Sequence, residues 1–122
     1  MIRAAILLLV GTLSAVAQSP SIGVAARETQ ELVALCRGTI RDEQGSRKNV
    51  TDAIQCLSYI QGFKDGLAFT GGAPRFCIAA KVSFGEQVQA FIRWADQHRD
   101  ALTQSKQATL IKFFEETYPC PK

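Results

Sequence analysis

The chain has 122 residues, with 14 Lys and Arg against 11 Asp and Glu, a formal charge of +3 at pH 7 and 47% hydrophobic residues. That length holds one domain with a modest core and leaves no room for a second. The charges are dispersed and lack the basic stripe with interleaved aromatics of a nucleic-acid binder, so neither a nucleic-acid nor a membrane-surface partner is expected.

The N-terminus is built for export. Arg3 supplies a positive start, Ala4 to Leu13 an apolar run, and Ala15-Val16-Ala17 the small-x-small pattern that a signal peptidase needs. Cleavage is expected after Ala17, and removal of Arg3 takes the formal charge to +2. The apolar run is too short to cross roughly 30 Å of hydrocarbon, so no membrane attachment is expected after cleavage; an uncleaved signal anchor is the alternative. The expected organisation is a signal peptide over 1–17, a flexible leader over 18–26 containing Pro20 and Gly23, and a helical domain over 27–122.

From Arg27 the texture changes. Leu32, Leu35, Cys36, Thr39 and Ile40 recur at steps of three and four and predict an amphipathic helix from Arg27 to Ile40. Arg41 to Asn49 has no apolar side chain and contains Gly45, which predicts a solvated loop. A second helix is expected to start with Asn49 or Thr51 as N-cap and to bury Ile54, Leu57, Ile60, Phe63 and Leu67, with Cys56 and Tyr59 at the flanks. Gly62 and Gly66 lie four apart on one side of it. Each costs about 1 kcal/mol relative to alanine, so another helix or a second subunit is expected close to the backbone there. Gly71-Gly72-Ala73-Pro74 must end the helix, and Arg75 to Val82 forms a connector.

Ser83-Phe84-Gly85-Glu86 fits a capping box at the start of a third helix running to about Arg99, with Val88, Phe91, Ile92 and Ala95 buried and Trp94 off that line. After a turn over Asp100 to Gln104, a fourth helix from about Ser105 carries Ala108, Ile111, Phe114 and Tyr118, broadened by Leu110 and Phe113, and stops before Pro119. Four helices on short connections give an all-α, small four-helix bundle with antiparallel neighbours.

Cys36, Cys56, Cys77 and Cys120 form an even set in an exported chain, which reads as two disulfides. Three connectivities are possible. An antiparallel hairpin about Ser46 would bring Cys36 opposite Cys56, which leaves Cys77 to pair with Cys120. Intervals of 20, 21 and 43 residues with a single histidine do not suit a metal site. That histidine, His98, lies in a charged stretch and is read as a solvated helix-end residue. Asp42/Glu43 and Glu115/Glu116 are neighbours in sequence and diverge in space, so they are poor acid/base couples. Gly71-Gly72 lacks the lysine of a phosphate-binding loop. Neither catalysis nor a cofactor or metal is expected.

The residues from about Glu31 to Pro121 resemble the Rap/Tai family of immunity proteins associated with bacterial type VI secretion. The matching features are Leu35-Cys36, the run from Cys56 to Gly66 (Cys-Leu-Ser-Tyr-Ile-Gln-Gly-Phe-Lys-Asp-Gly), Phe76-Cys77-Ile78, Val82-Ser83 and Tyr118-Pro119-Cys120-Pro121. Ala79 departs from the pattern, where the family often has proline. The resemblance implies a periplasmic all-α protein, commonly a homodimer, that binds and occludes a cognate peptidoglycan amidase effector. On that reading the candidate contacts are Arg41 and Arg47 in the polar loop, and Arg75, Phe76 and Lys81 in the connector, since loops on a rigid scaffold carry binding and Arg and aromatic side chains dominate hot spots. Trp94 is a further candidate. The alternatives are that Phe76 packs beneath the disulfide and that Trp94 rims the core. The rival function classes are an HdeA-like periplasmic acid-stress chaperone and a non-enzymatic periplasmic interaction protein without a toxin partner.

Overall fold

The computed structural model describes residues 22–40 and 47–122. The signal peptide with its cleavage site, leader residues 18–21, and the loop residues 41–46 with Arg41 lie outside the described residues. Among the described residues there are four α-helices and no strand: α1 (Ile22–Arg37), α2 (Arg47–Thr70), α3 (Phe84–Gln97) and α4 (Lys106–Thr117), with a 3-10 turn over Ala101–Thr103 between α3 and α4. The all-α class and both disulfide pairings agree with the sequence reading.

α1 starts at Ile22, inside the stretch expected to be leader, and stops at Arg37, short of Ile40. Its early start is held by Thr29, a wholly buried side chain whose hydroxyl donates to Gln104 O at 2.6 Å and also lies 3.1 Å from Ala25 O. The early stop follows from Gly38. A Cβ at that position would lie 2.8 Å from Asp52 Cβ and 3.0 Å from Asn49 O, so only glycine lets α1 and α2 approach so closely beside the first disulfide. Cys36 and Cys56, both fully buried, are bonded with 4.9 Å between their Cα atoms. Thr39 and Ile40 close turns outside the helix, and Ile40 is exposed rather than in the apolar stripe.

α2 begins at Arg47, ahead of both expected caps, and Asn49 and Thr51 lie inside it. Lys48 and Asp52, one turn apart, form an ion pair at 2.5 Å that supports this extra turn. Its core side is formed by Cys56 and Ile60, with Leu57, Tyr59 and Phe63 packed against them. Ile54, expected in the core, is 58% exposed. Among the described residues nothing approaches Gly62 or Gly66, where an added Cβ would meet no atom within 4 Å. The close helix contact falls at Gly38 instead.

The capping box of α3 is present. Ser83 Oγ accepts from Glu86 N–H at 3.2 Å, and Glu86 Oε2 accepts from Ser83 N–H at 2.6 Å. Val88, Phe91, Ile92 and Ala95 are buried as expected, and Trp94 and Gln87 join them. On α4 the buried set is Thr109, Leu110, Phe113 and Phe114; the last three belong to the expected stripe, Thr109 is added to it, and Ala108 and Ile111 fall outside it. Thr109 is accommodated because its hydroxyl donates to Ala101 O at 3.0 Å. The core is therefore aromatic at its centre. Phe113 lies 5.2 Å from Phe91 and 4.8 Å from Phe114 between ring centroids, and Trp94 meets Phe113 edge-on at 5.8 Å.

Replacing Cys36 and Cys56 together by alanine releases the chain closure between the first two helices. It should lower unfolding free energy in urea by about 3 kcal/mol, with the helical circular dichroism spectrum retained in the absence of denaturant.

Candidate functional site

The connector from α2 to α3 is positioned more firmly than its lack of regular structure suggests. α2 ends because Gly71 and Gly72 take φ of +75° and +90°, a left-handed pair that side-chain-bearing residues rarely adopt, and Pro74 prevents helical continuation. The next four residues are each tied down. Arg75 Nε donates to Glu115 Oε1 on α4 at 2.7 Å. Phe76, half-buried, stacks on Phe114 with ring centroids 4.6 Å apart. Cys77 N–H donates to Tyr118 O at 2.8 Å, and its sulfur is bonded to Cys120. Ile78 packs against the core.

On either side of this anchored stretch the chain is open to solvent, at Gly71 to Pro74 and at Ala79 to Lys81. The last turns of α2 and the connector enclose a cleft of about 370 Å³, with Lys64, Leu67, Ala68, Pro74, Arg75 and Phe76 among its walls. Beside it, on the last turn of α2, Phe69 is 93% exposed. Single exposed apolar side chains are ordinary on protein surfaces; Phe69 is a candidate contact because it lies next in the chain to Ala68 and Thr70 of the cleft wall. The sequence reading ended the α2 stripe at Leu67 and passed over Phe69. The available signal was a phenylalanine out of phase with that stripe, two residues before a glycine stop.

Of the residues singled out in the sequence, Arg75, Phe76 and Lys81 share this connector, while Arg47 opens α2. Phe76 is spent on packing against Phe114, the alternative weighed for it. Trp94 is likewise a core-rim residue, 7% exposed, with its indole N–H donating to Glu116 Oε2 at 2.9 Å. His98 is less solvated than expected, since its ring stacks on Trp94 at 4.4 Å and Nδ1 lies 2.8 Å from Trp94 O. The two carboxylates of Glu115 and Glu116 diverge, one to Arg75 and the other to Trp94. Among the described residues no group of three or more His, Cys, Asp or Glu is placed to hold a metal, and no helix is long and apolar enough to cross a membrane.

What this edge offers is shape and contact. The family model of Rap1a immunity proteins matches residues 28–120, from α1 through the second disulfide. The chain belongs to the Rap1a immunity protein family. No curated protein and no solved structure matches it. Membership in the Rap1a family makes the protein an immunity protein against a secreted effector, with binding of that effector as its function; the family is generally non-enzymatic.

The electrostatics of this Rap1a member show where acid would act. Hydrogen bonds from the backbone and hydroxyl of Ser83 hold the Glu86 carboxyl below its ordinary 4.5, and the bond from Arg37 holds Asp96 below 3.8. A carboxyl whose folded pKa is depressed stabilises the fold above its unfolded pKa, and that contribution is lost as pH falls through the folded value. Stability should therefore decline as pH drops below about 4.5. The fall in Tm between pH 7 and pH 3 should be smaller in the double variant Glu86→Gln, Asp96→Asn than in the parent protein, as thermal unfolding by circular dichroism will measure.

Proposed function

We propose that this protein is a periplasmic immunity protein that neutralises a peptidoglycan amidase delivered by type VI secretion. It does so by laying the α2–α3 connector and the last turn of α2 across the enzyme's cleft. The observation that carries the reading is the combination of an exposed contact surface, led by Phe69 and Arg75, with a backbone fixed by the Cys77–Cys120 bond and the Phe76–Phe114 stack. Such an edge is ordered before it meets its partner, so little conformational entropy is lost on binding. Arg75 keeps 55% of its side chain exposed while paired to Glu115, which leaves guanidinium donors for a partner.

The rest of the proposal follows from the chain's other features. Two disulfides require an oxidising compartment, and the N-terminal segment has the features of a cleaved export signal; the periplasm meets both requirements and is where peptidoglycan is exposed to an amidase. The mature form starts at Gln18. It assembles as a homodimer, which gives each particle two docking edges.

Co-expression with the amidase encoded beside it should yield a complex on gel filtration and abolish cell-wall hydrolysis. A missing complex with unchanged hydrolysis would reject the proposal. Phe69→Ala and Arg75→Ala should each weaken the complex about tenfold or more, the scale of an interface hot spot. An exposed ion pair contributes about 1 kcal/mol or less to folding, so both variants should unfold within a few degrees of the parent.

A further inference from the structure

The cleft beside the connector has a chemistry more specific than an apolar hollow. Its walls at Leu67, Ala68, Pro74 and Phe76 are apolar, its two charged lining residues, Lys64 and Arg75, are both cations, and no carboxylate lines it. Arg75 is already paired with Glu115. Lys64 is not comparably neutralised. Its ammonium donates to Gln87 Oε1 at 3.0 Å and lies 4.4 Å from the centre of the Phe84 ring, and no carboxylate among the described residues is paired with it. Asp65, next in the chain, accepts from Gln61 instead, at 2.8 Å.

The lysine is also placed deliberately. Gln87 is 7% exposed and its side-chain amide donates to Val82 O at 3.3 Å, so the oxygen that receives Lys64 is fixed from behind. Burial pushes the Lys64 pKa below its ordinary value, with the charge of Asp65 opposing. The charged form is therefore held at a cost that an incoming carboxylate would relieve. We infer that this cleft receives an apolar side chain of the effector that adjoins a carboxylate, with Lys64 as the anchoring cation. The inference rests on the proposed immunity function and names the chemistry of the segment that the edge recognises. The volume, about 370 Å³, admits one aromatic side chain with its flanking groups.

The test uses N-acetyl-phenylalanine, which carries the carboxylate, against N-acetyl-phenylalanine amide, which does not, titrated into the mature protein and followed by amide chemical shifts. The acid should move the signals of Gly71, Gly72 and Phe76 and bind about tenfold or more tightly than the amide, as a charge-assisted bond requires. Lys64→Gln should erase that preference, and Lys64→Arg should keep it. Equal binding of acid and amide, shifts centred elsewhere, absence of binding, or an unchanged preference in Lys64→Gln would each overturn the inference. Because Lys64 is partly exposed and its partners are neutral, both variants should fold, which the near-UV spectrum verifies. In parallel, an amidase that binds the parent and Lys64→Gln equally well defeats the inference and leaves the proposed function standing. An amidase that does not bind the parent defeats that function, and the small-molecule arm still decides the chemistry of the cleft.

Discussion

The ring of Phe114 is the point on which both the bundle and the proposed docking edge depend. It is wholly buried on α4, stacks on Phe76 of the connector at 4.6 Å, faces Phe63 of α2 at 6.5 Å, and contacts Phe113 and Tyr118 of its own segment. Three parts of the chain that are distant in sequence therefore share one aromatic neighbourhood. A segment without helical hydrogen bonds is held in register by a ring it covers. Loops that bind by shape need such a seat, because an unanchored loop would lose its conformational freedom at the moment of binding.

The two sulfur bridges divide their work between interior and edge. Cys36–Cys56 is enclosed by the core and joins the first two helices near the point where Gly38 lets them touch. Cys77–Cys120 is only half-buried and joins the connector to the segment after α4, beside the backbone bond from Cys77 to Tyr118. The first therefore serves the fold, and the second serves the surface the fold presents. The carboxylates of Glu115 and Glu116 are committed to separate partners, and the ring of His98 is engaged by Trp94.

Features set by local chemistry were legible in the sequence. The capping box at Ser83 and Glu86, the glycine stop at Gly71-Gly72, the halt before Pro119 and the hairpin logic behind both disulfides depend on residues near one another in the chain or on symmetry about one loop. Features set by tertiary contact were not. On α4 the buried side includes Thr109 and leaves out Ala108 and Ile111, because Leu110, Ile111, Phe113 and Phe114 are apolar on two sides of the helix and only the facing α3 aromatics decide which side is buried. α1 is tied to the residue after the 3-10 turn by a bond from Thr29 to Gln104, 75 residues away. The glycines of α2 drew attention by their spacing, yet the position that cannot carry a side chain is Gly38, whose constraint comes from Asn49 and Asp52 across the hairpin. At the candidate site, Arg75 is a candidate from its residue type alone, and Phe76, singled out in the same way, packs on Phe114. Phe69 and Lys64 were not singled out, since exposure and the lack of a countercharge are properties of the folded surface.

The order of the bonded cysteines, first with second and third with fourth, also bears on how the molecule is made. A polypeptide that enters an oxidising space N-terminus first exposes Cys36 and then Cys56 before any competitor has emerged, and the later pair follows with the earlier thiols already consumed. Under the proposed export, the native one of the three ways to join four thiols is thus the one that vectorial entry favours kinetically. Oxidative maturation can proceed without the corrective thiol–disulfide exchange that an interleaved pattern would demand.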